Sequence, residues 1–111
     1  MGKRKTTHNE QIKMLPLILS PESEKEIHDA YEWYEAQRIG LGNEFILCLD
    51  ATMHSIARNP LIYQVIHKNI RRGVLRRFPY CIFFLKEQNH IQILAVFHAH
   101  RNPANWENRV I

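Results

Sequence analysis

The hydrophobic period of this chain changes once, at Asn59-Pro60, and that change restricts the fold more than any other feature. Upstream, apolar residues recur every three to four positions. Downstream, they alternate with polar residues or form short unbroken runs. A helix buries a stripe of period 3.6 and a strand alternates with period two. The chain therefore reads as helices first and strands after, an α+β order in which the helices share one face of an antiparallel sheet.

Ser20 followed by Pro21 suits an N-cap and the first helical position. Glu22, Glu24 and Glu26 sit in the first turn, where the helix dipole favours anions. Ile27, Ala30, Tyr31 and Tyr34 then share one face, and Gly40 and Gly42 end the helix near Arg38. A second helix fits 42–58, with Phe45, Cys48, Leu49, Thr52 and Ile56 on one face and Ile46, Met53 and Ala57 widening it. About four residues join the two, so they should form an antiparallel hairpin. Ahead of them, 14–19 is a short strand candidate that Pro16, lacking an N–H, confines to an edge or a strand start.

After the change of period, strands are expected at 64–68, 70–77, 80–86 and 91–97, with turns at Lys68-Asn69 and Gln88-Asn89-His90. The runs "CIFFL" and "ILAVF" are apolar on both faces and should be central strands. Val74, Ile82, Phe83, Phe84, Ile93, Leu94 and Val96 are the expected core. The expected architecture is an N-terminal strand, an antiparallel helical hairpin and a C-terminal antiparallel sheet of about four strands.

The 111 residues suffice for one domain. Residues 1–13 are polar and basic without periodicity and read as a flexible leader, leaving 14–111 as the folded domain. No apolar run is long enough to span a bilayer, and no apolar segment follows the basic start as in a secretory signal. Cys48 and Cys81 both lie among apolar neighbours, as buried reduced thiols of a cytoplasmic protein would. The charge is uneven. Residues 1–13 carry a net +3, residues 14–63 a net −5 and residues 64–111 a net +6. One electropositive face is expected.

The densest charge is "RRGVLRRFPY", residues 71–80, with four arginines and no acid. If 70–77 is all strand, Arg71 and Arg77 share one face and Arg72 and Arg76 the other. One pair then lies at the core rim and the other is open for a surface site. The arginines can be satisfied by acids of the first helix, between Glu22 and Glu35, or they can meet an anionic or acidic partner.

His98, His100 and Arg101 directly follow the last apolar strand. Each histidine is either a plain strand-end polar residue or a proton carrier near neutral pH. Trp106 is either a tail anchor over the core or a stacking platform. No phosphate-binding glycine loop, nucleophile elbow or metal-ligand spacing is present, so no metal or cofactor is expected. Any catalysis would rest on Arg, Lys, His and Tyr, a set that fits metal-independent RNA cleavage and fits a phosphate- or protein-binding surface equally well.

Four segments together, "AYEWYEAQRIGLGNEF", "SIARNPLIY", "IRRGVLRRFPYCIFF" and "ILAVFHAHRNPANW", resemble the RelE/ParE superfamily of bacterial toxins, over about residues 15–107. The resemblance implies a fold like that of compact microbial ribonucleases and a role as the toxin of a type II toxin–antitoxin module, silenced by a cognate antitoxin. RelE-like members cleave mRNA on the ribosome, whereas ParE-like members poison DNA gyrase. The pattern "WYExxxxGLGxxF", with "RRFPY" and "HxxRxPxxW", is the more ParE-like. The favoured expectation is a gyrase-binding toxin that arrests growth. The alternatives are a ribosome-dependent endoribonuclease and a non-toxic module that only binds antitoxin. Arg71, Arg72, Arg76, Arg77 and Arg101 are the expected target-binding residues. His98, His100, Arg77 and Arg101 are the catalytic candidates if the protein is an enzyme. Tyr80 is expected to cap the sheet.

Overall fold

The computed structural model describes residues 14–99. The expected leader at 1–13, together with His100, Arg101 and Trp106, lies outside the described residues. The elements are β1 (Leu17–Leu19), α1 (Pro21–Gln37), α2 (Leu41–Arg58), a 3₁₀ turn (Pro60–Ile62), β2 (Gln64–His67), β3 (Ile70–Val74), β4 (Tyr80–Lys86) and β5 (Ile91–His98). The sheet order is β1-β5-β4-β3-β2. Strands β2 to β5 form the expected antiparallel meander. The class is therefore as expected, with one addition: β1 joins the sheet as a fifth strand, parallel to β5.

The start of α1 is tied to the sheet it covers. Ser20 Oγ accepts the Ser23 N–H at 3.1 Å, the N-cap bond anticipated from Ser-Pro. The same residue donates its backbone N–H to the Ile93 carbonyl and its hydroxyl to the Leu94 carbonyl, each at 3.2 Å. Glu26 Oε1 then accepts the Val96 N–H at 2.9 Å. β1 stops opposite Ile93. Beyond that point, side chains of α1 take over the edge of β5 that a longer partner strand would have paired.

β5 carries a bulge. Phe83 pairs with Ala95 and Phe84 with Ile93, so Leu94 is the extra residue. The bulge shifts the alternation by one. Ile91, Ile93 and Val96 face the helices with Ile82 and Phe84. Leu94, Ala95 and Phe97 join Ile70, Cys81 and Phe83 in a second buried cluster. This is why "ILAVF" is apolar on both faces.

The hairpin is closed by Glu35. Its carboxylate accepts the N–H groups of Gly40 and Gly42, each at 2.9 Å. Gly40 has φ +92°, the left-handed region that glycine enters without a Cβ penalty. A Cβ on Gly42 would lie 2.7 Å from the Tyr31 ring and 2.8 Å from its backbone oxygen, so the helices can meet there only without one. Tyr34 stacks on Phe45 across the hairpin at 5.4 Å. The pattern "WYExxxxGLGxxF" is thus largely the architecture of a helix pair.

Three expectations change. β3 ends at Val74 rather than at residue 77. The chain turns because Tyr80 donates its N–H to the Phe78 carbonyl at 2.7 Å around Pro79, and Leu75 donates to the Tyr80 carbonyl at 3.0 Å. Val74, expected in the core, is 56% exposed: it pairs with Cys81 on the sheet face away from the helices. Cys48 is half-buried at the margin of the hairpin rather than buried; Cys81 is buried, and both are free thiols.

Candidate functional site

The turn sorts its residues by polarity. Leu75 and Phe78 point inward and are 3% and 7% exposed, while the intervening Arg76 and Arg77 are exposed. Phe78 enters an aromatic cluster, with its ring 4.9 Å from that of Tyr34 and 5.5 Å from that of Phe45. Burying two large apolar side chains, each worth about 1.5–3 kcal/mol, fixes the turn and turns the arginines to solvent. The expected strand alternation therefore fails for this doublet. Phe78 lies on the helix side with Leu75, and Arg76 and Arg77 project together.

Arg77 Nη2 lies 3.1 Å from Glu44 Oε1 in the first turn of α2, and Arg38 Nη2 lies 3.4 Å from the same oxygen. The Arg77 guanidinium also sits 5.6 Å from the centre of the Phe78 ring. The hydrogen bond from Arg77, opposed by desolvation and assisted by Arg38, holds the Glu44 carboxyl below the ordinary glutamate range. Arg76 has neither a hydrogen bond nor an ion pair among the described residues. Beside the turn, Leu47 is 69% exposed, and Glu44, Leu47, Cys48, Arg76 and Arg77 line a shallow depression of about 470 Å³. An apolar side chain beside weakly hydrated guanidiniums suits a protein partner that brings both acid and apolar surface.

The other doublet is engaged within the fold. Arg71, on the helix-facing side of β3, donates to the Tyr63 carbonyl at 2.7 Å and the Leu61 carbonyl at 3.3 Å. Arg72 donates to Gln64 Oε1 at 3.0 Å across the β2–β3 pair. Neither doublet takes an acid of α1, the pairing expected had the arginines served only to balance that helix. The acid that matters, Glu44, is separated from Arg77 by 33 positions and left no local signal. Leu47 did leave one: it is a leucine off the core-facing stripe of the second helix.

His98 lies elsewhere, half-buried at the end of β5 with its ring 5.3 Å from that of Tyr80. It lines a groove of about 630 Å³ between α1 and the sheet, with Glu26, Asp29, Trp33, Tyr34 and Tyr80 among its walls. Tyr80 is half-buried at the start of β4, with its ring against those of Phe45 and Tyr34. The structure thus brings Arg76 and Arg77 together, ties Arg71 and Arg72 to the β2 side, and puts His98 in a different depression. His100 and Arg101 fall outside the described residues. Among the described residues no group of three or more His, Cys, Asp or Glu could hold a metal ion, and no helix is long and apolar enough to cross a membrane.

The sequence matches the family model described as ParE toxin of type II toxin-antitoxin system, parDE, over residues 17–103. No curated protein matches the sequence. Among solved structures, the fold is similar to that of a chain of the chromosomal ParDE TA system from P. aeruginosa. The TM-score is 0.70 at 14% identity, covering 78% of this chain and 98% of that one. At such identity the likeness speaks for the fold. The family match takes in both helices, every strand and the arginine turn, and this chain belongs to the ParE toxin family of type II toxin–antitoxin systems.

Proposed function

We propose that this toxin arrests growth by binding DNA gyrase in the cytoplasm, through the surface that Arg76 and Arg77 share with Leu47, and that a cognate antitoxin neutralises it. The observation that carries this reading is the division of the arginines. One doublet is spent on backbone carbonyls and a glutamine, while the other is turned outward beside exposed apolar surface. Arginines beside apolar anchors are the usual hot spots of protein interfaces. A binding reading is favoured over RNA cleavage because Arg77 is directed to Glu44 and His98 packs on Tyr80. The described proton carrier and the exposed guanidiniums thus line separate depressions.

The test is pulse-labelling of DNA and protein synthesis in the first minutes after induction without antitoxin. DNA synthesis should fall first, with a DNA-damage response, and co-expressed antitoxin should prevent both. An earlier fall in protein synthesis with codon-positioned mRNA cuts would replace this reading with the endoribonuclease one. Unimpaired growth, with antitoxin still bound, would leave a non-toxic binding module.

A further inference from the structure

The carboxylate that holds Arg77 holds a third arginine as well. Arg38 Nη2 lies 3.4 Å from each oxygen of Glu44, and Arg77 Nη2 lies 3.1 Å from Oε1. In the sequence Arg38 marks only the end of a helix, far from either doublet. The hairpin fixes where it stands. Arg38 caps α1, donating its N–H to the Tyr34 carbonyl at 3.2 Å and accepting the Leu41 N–H at 3.0 Å. Glu35, the nearest acid in the sequence, is committed to the N–H groups of Gly40 and Gly42. Glu44 is thus the acid that Arg38 shares with Arg77.

Three guanidiniums, of Arg38, Arg76 and Arg77, therefore stand about one carboxylate, and positive charge is left over. The Arg38 side chain is 58% exposed, and ion pairs so open to water contribute little to stability. The fold does not consume these arginines. Each guanidinium has five donors and a carboxylate about four acceptor sites, so sharing Glu44 saturates neither Arg38 nor Arg77. Apolar surface accompanies them. Ile39 is 88% exposed, between Arg38 and the Gly40 whose carbonyl accepts the Glu44 N–H at 3.1 Å. An arginine beside an open apolar side chain thus occurs at the hairpin tip as it does at Leu47.

We propose that Arg38 is a further target-binding residue, that it meets carboxylates of the target, and that Glu44 is a positioning residue holding Arg38 and Arg77 side by side to receive them. This rests on the reading that Arg76 and Arg77 bind gyrase, and it extends that surface from the turn onto the hairpin.

The experiment is binding of the full-length toxin to purified gyrase by surface plasmon resonance, with the fold of each variant checked by circular dichroism. Arg38→Ala should raise Kd about tenfold, as loss of an interface arginine does. Arg38→Glu should raise it about a hundredfold or more, because a carboxylate then faces carboxylates. Arg58→Ala removes the same charge at the other end of α2 and should change Kd less than about twofold. Glu44→Gln separates positioning from general attraction by sign. It makes the protein more positive, so long-range attraction alone would tighten binding. A positioning role predicts about fivefold weaker binding, seen as faster dissociation. Equal losses from Arg38→Ala and Arg58→Ala, no further loss with Arg38→Glu, or tighter binding by Glu44→Gln would overturn the proposal. Should Arg38→Ala not fold, Arg38→Lys keeps the charge without the planar fork and should still lose about threefold. Full binding by that variant would overturn the proposal as well. If Arg76→Ala/Arg77→Ala weakens binding while Arg38→Ala does not, this extension alone fails. If the parent does not bind gyrase, the reading beneath it fails too.

Discussion

Two arginine doublets stand four residues apart in this chain, identical in sequence, and the fold gives them different work. Arg71-Arg72 lies on β3. Strand alternation sends one guanidinium to each side of the sheet, and both find acceptors on the neighbouring 3₁₀ turn and β2. Arg76-Arg77 lies two residues past the strand end, in a turn whose flanking Leu75 and Phe78 are both buried. There the two guanidiniums project together, one held by Glu44 and the other without a partner among the described residues. The number of arginines is therefore a poor guide to a binding surface. What the backbone does beneath them decides which ones are available.

The largest effect should separate the doublets by function. Arg76→Ala with Arg77→Ala should weaken target binding by thirtyfold or more, about 2 kcal/mol, as expected of interface hot-spot arginines. Circular dichroism and the unfolding midpoint should change little. An equally toxic, well-folded double variant would break the contrast.

The next effect concerns stability. Arg71→Ala removes two hydrogen bonds to carbonyls and should cost about 1–2 kcal/mol in urea unfolding, a loss that Arg76→Ala should not show. Comparable losses from both would mean that the turn doublet is structural too.

Acid should act on one doublet only. The Glu44 carboxyl is depressed, chiefly by its hydrogen bond from Arg77, so its contribution is fully present above the ordinary glutamate range. That contribution is lost as pH falls through the lower folded value. Unfolding curves between about pH 6 and pH 3 should therefore fall less steeply for Glu44→Gln than for the parent. The Arg71→Ala penalty should stay constant, because carbonyl acceptors do not titrate there. Parallel curves for Glu44→Gln and parent would show that Glu44 is not an effective partner of Arg77.

The smallest effect uses the two thiols as reporters. Cys81 sits under the strand doublet, and burial raises its pKa, with Arg72 only partly opposing. Cys48 lines the depression of the turn doublet. Iodoacetamide should label Cys48 at least about tenfold faster, measured by mass spectrometry, because the thiolate is the reacting form and must be reached. Faster labelling of Cys81 would place the open surface at the other doublet.

Much of the fold was legible because it is written locally. Ser20-Pro21, the 3.6-residue stripe through Ala30 and Tyr34, and the runs "CIFFL" and "ILAVF" each specify an element within a few residues. What was not legible depends on partners far along the chain. The parallel pairing of β1 with β5 joins Leu17 to Ile91, a choice that neither segment encodes alone. The early end of β3 follows from Phe78 finding Tyr34 and Phe45 on the two helices. Read as a continuous strand, residues 70–77 put Val74 in the core and divided Arg76 from Arg77. The candidate surface was half legible in the same way. Its arginines stood out in the sequence, while Glu44 became visible as their partner only once α2 was laid beside the turn.

The most direct test is a supercoiling assay with purified gyrase and three forms of the toxin: parent, Arg76→Ala/Arg77→Ala and Arg71→Ala/Arg72→Ala, each at a temperature where it is folded. The account predicts inhibition by the parent and by the folded strand-doublet variant at similar concentrations, and by the turn-doublet variant only at concentrations thirtyfold or more above the parent's. Inhibition retained by the turn-doublet variant and lost in the folded strand-doublet variant would contradict it.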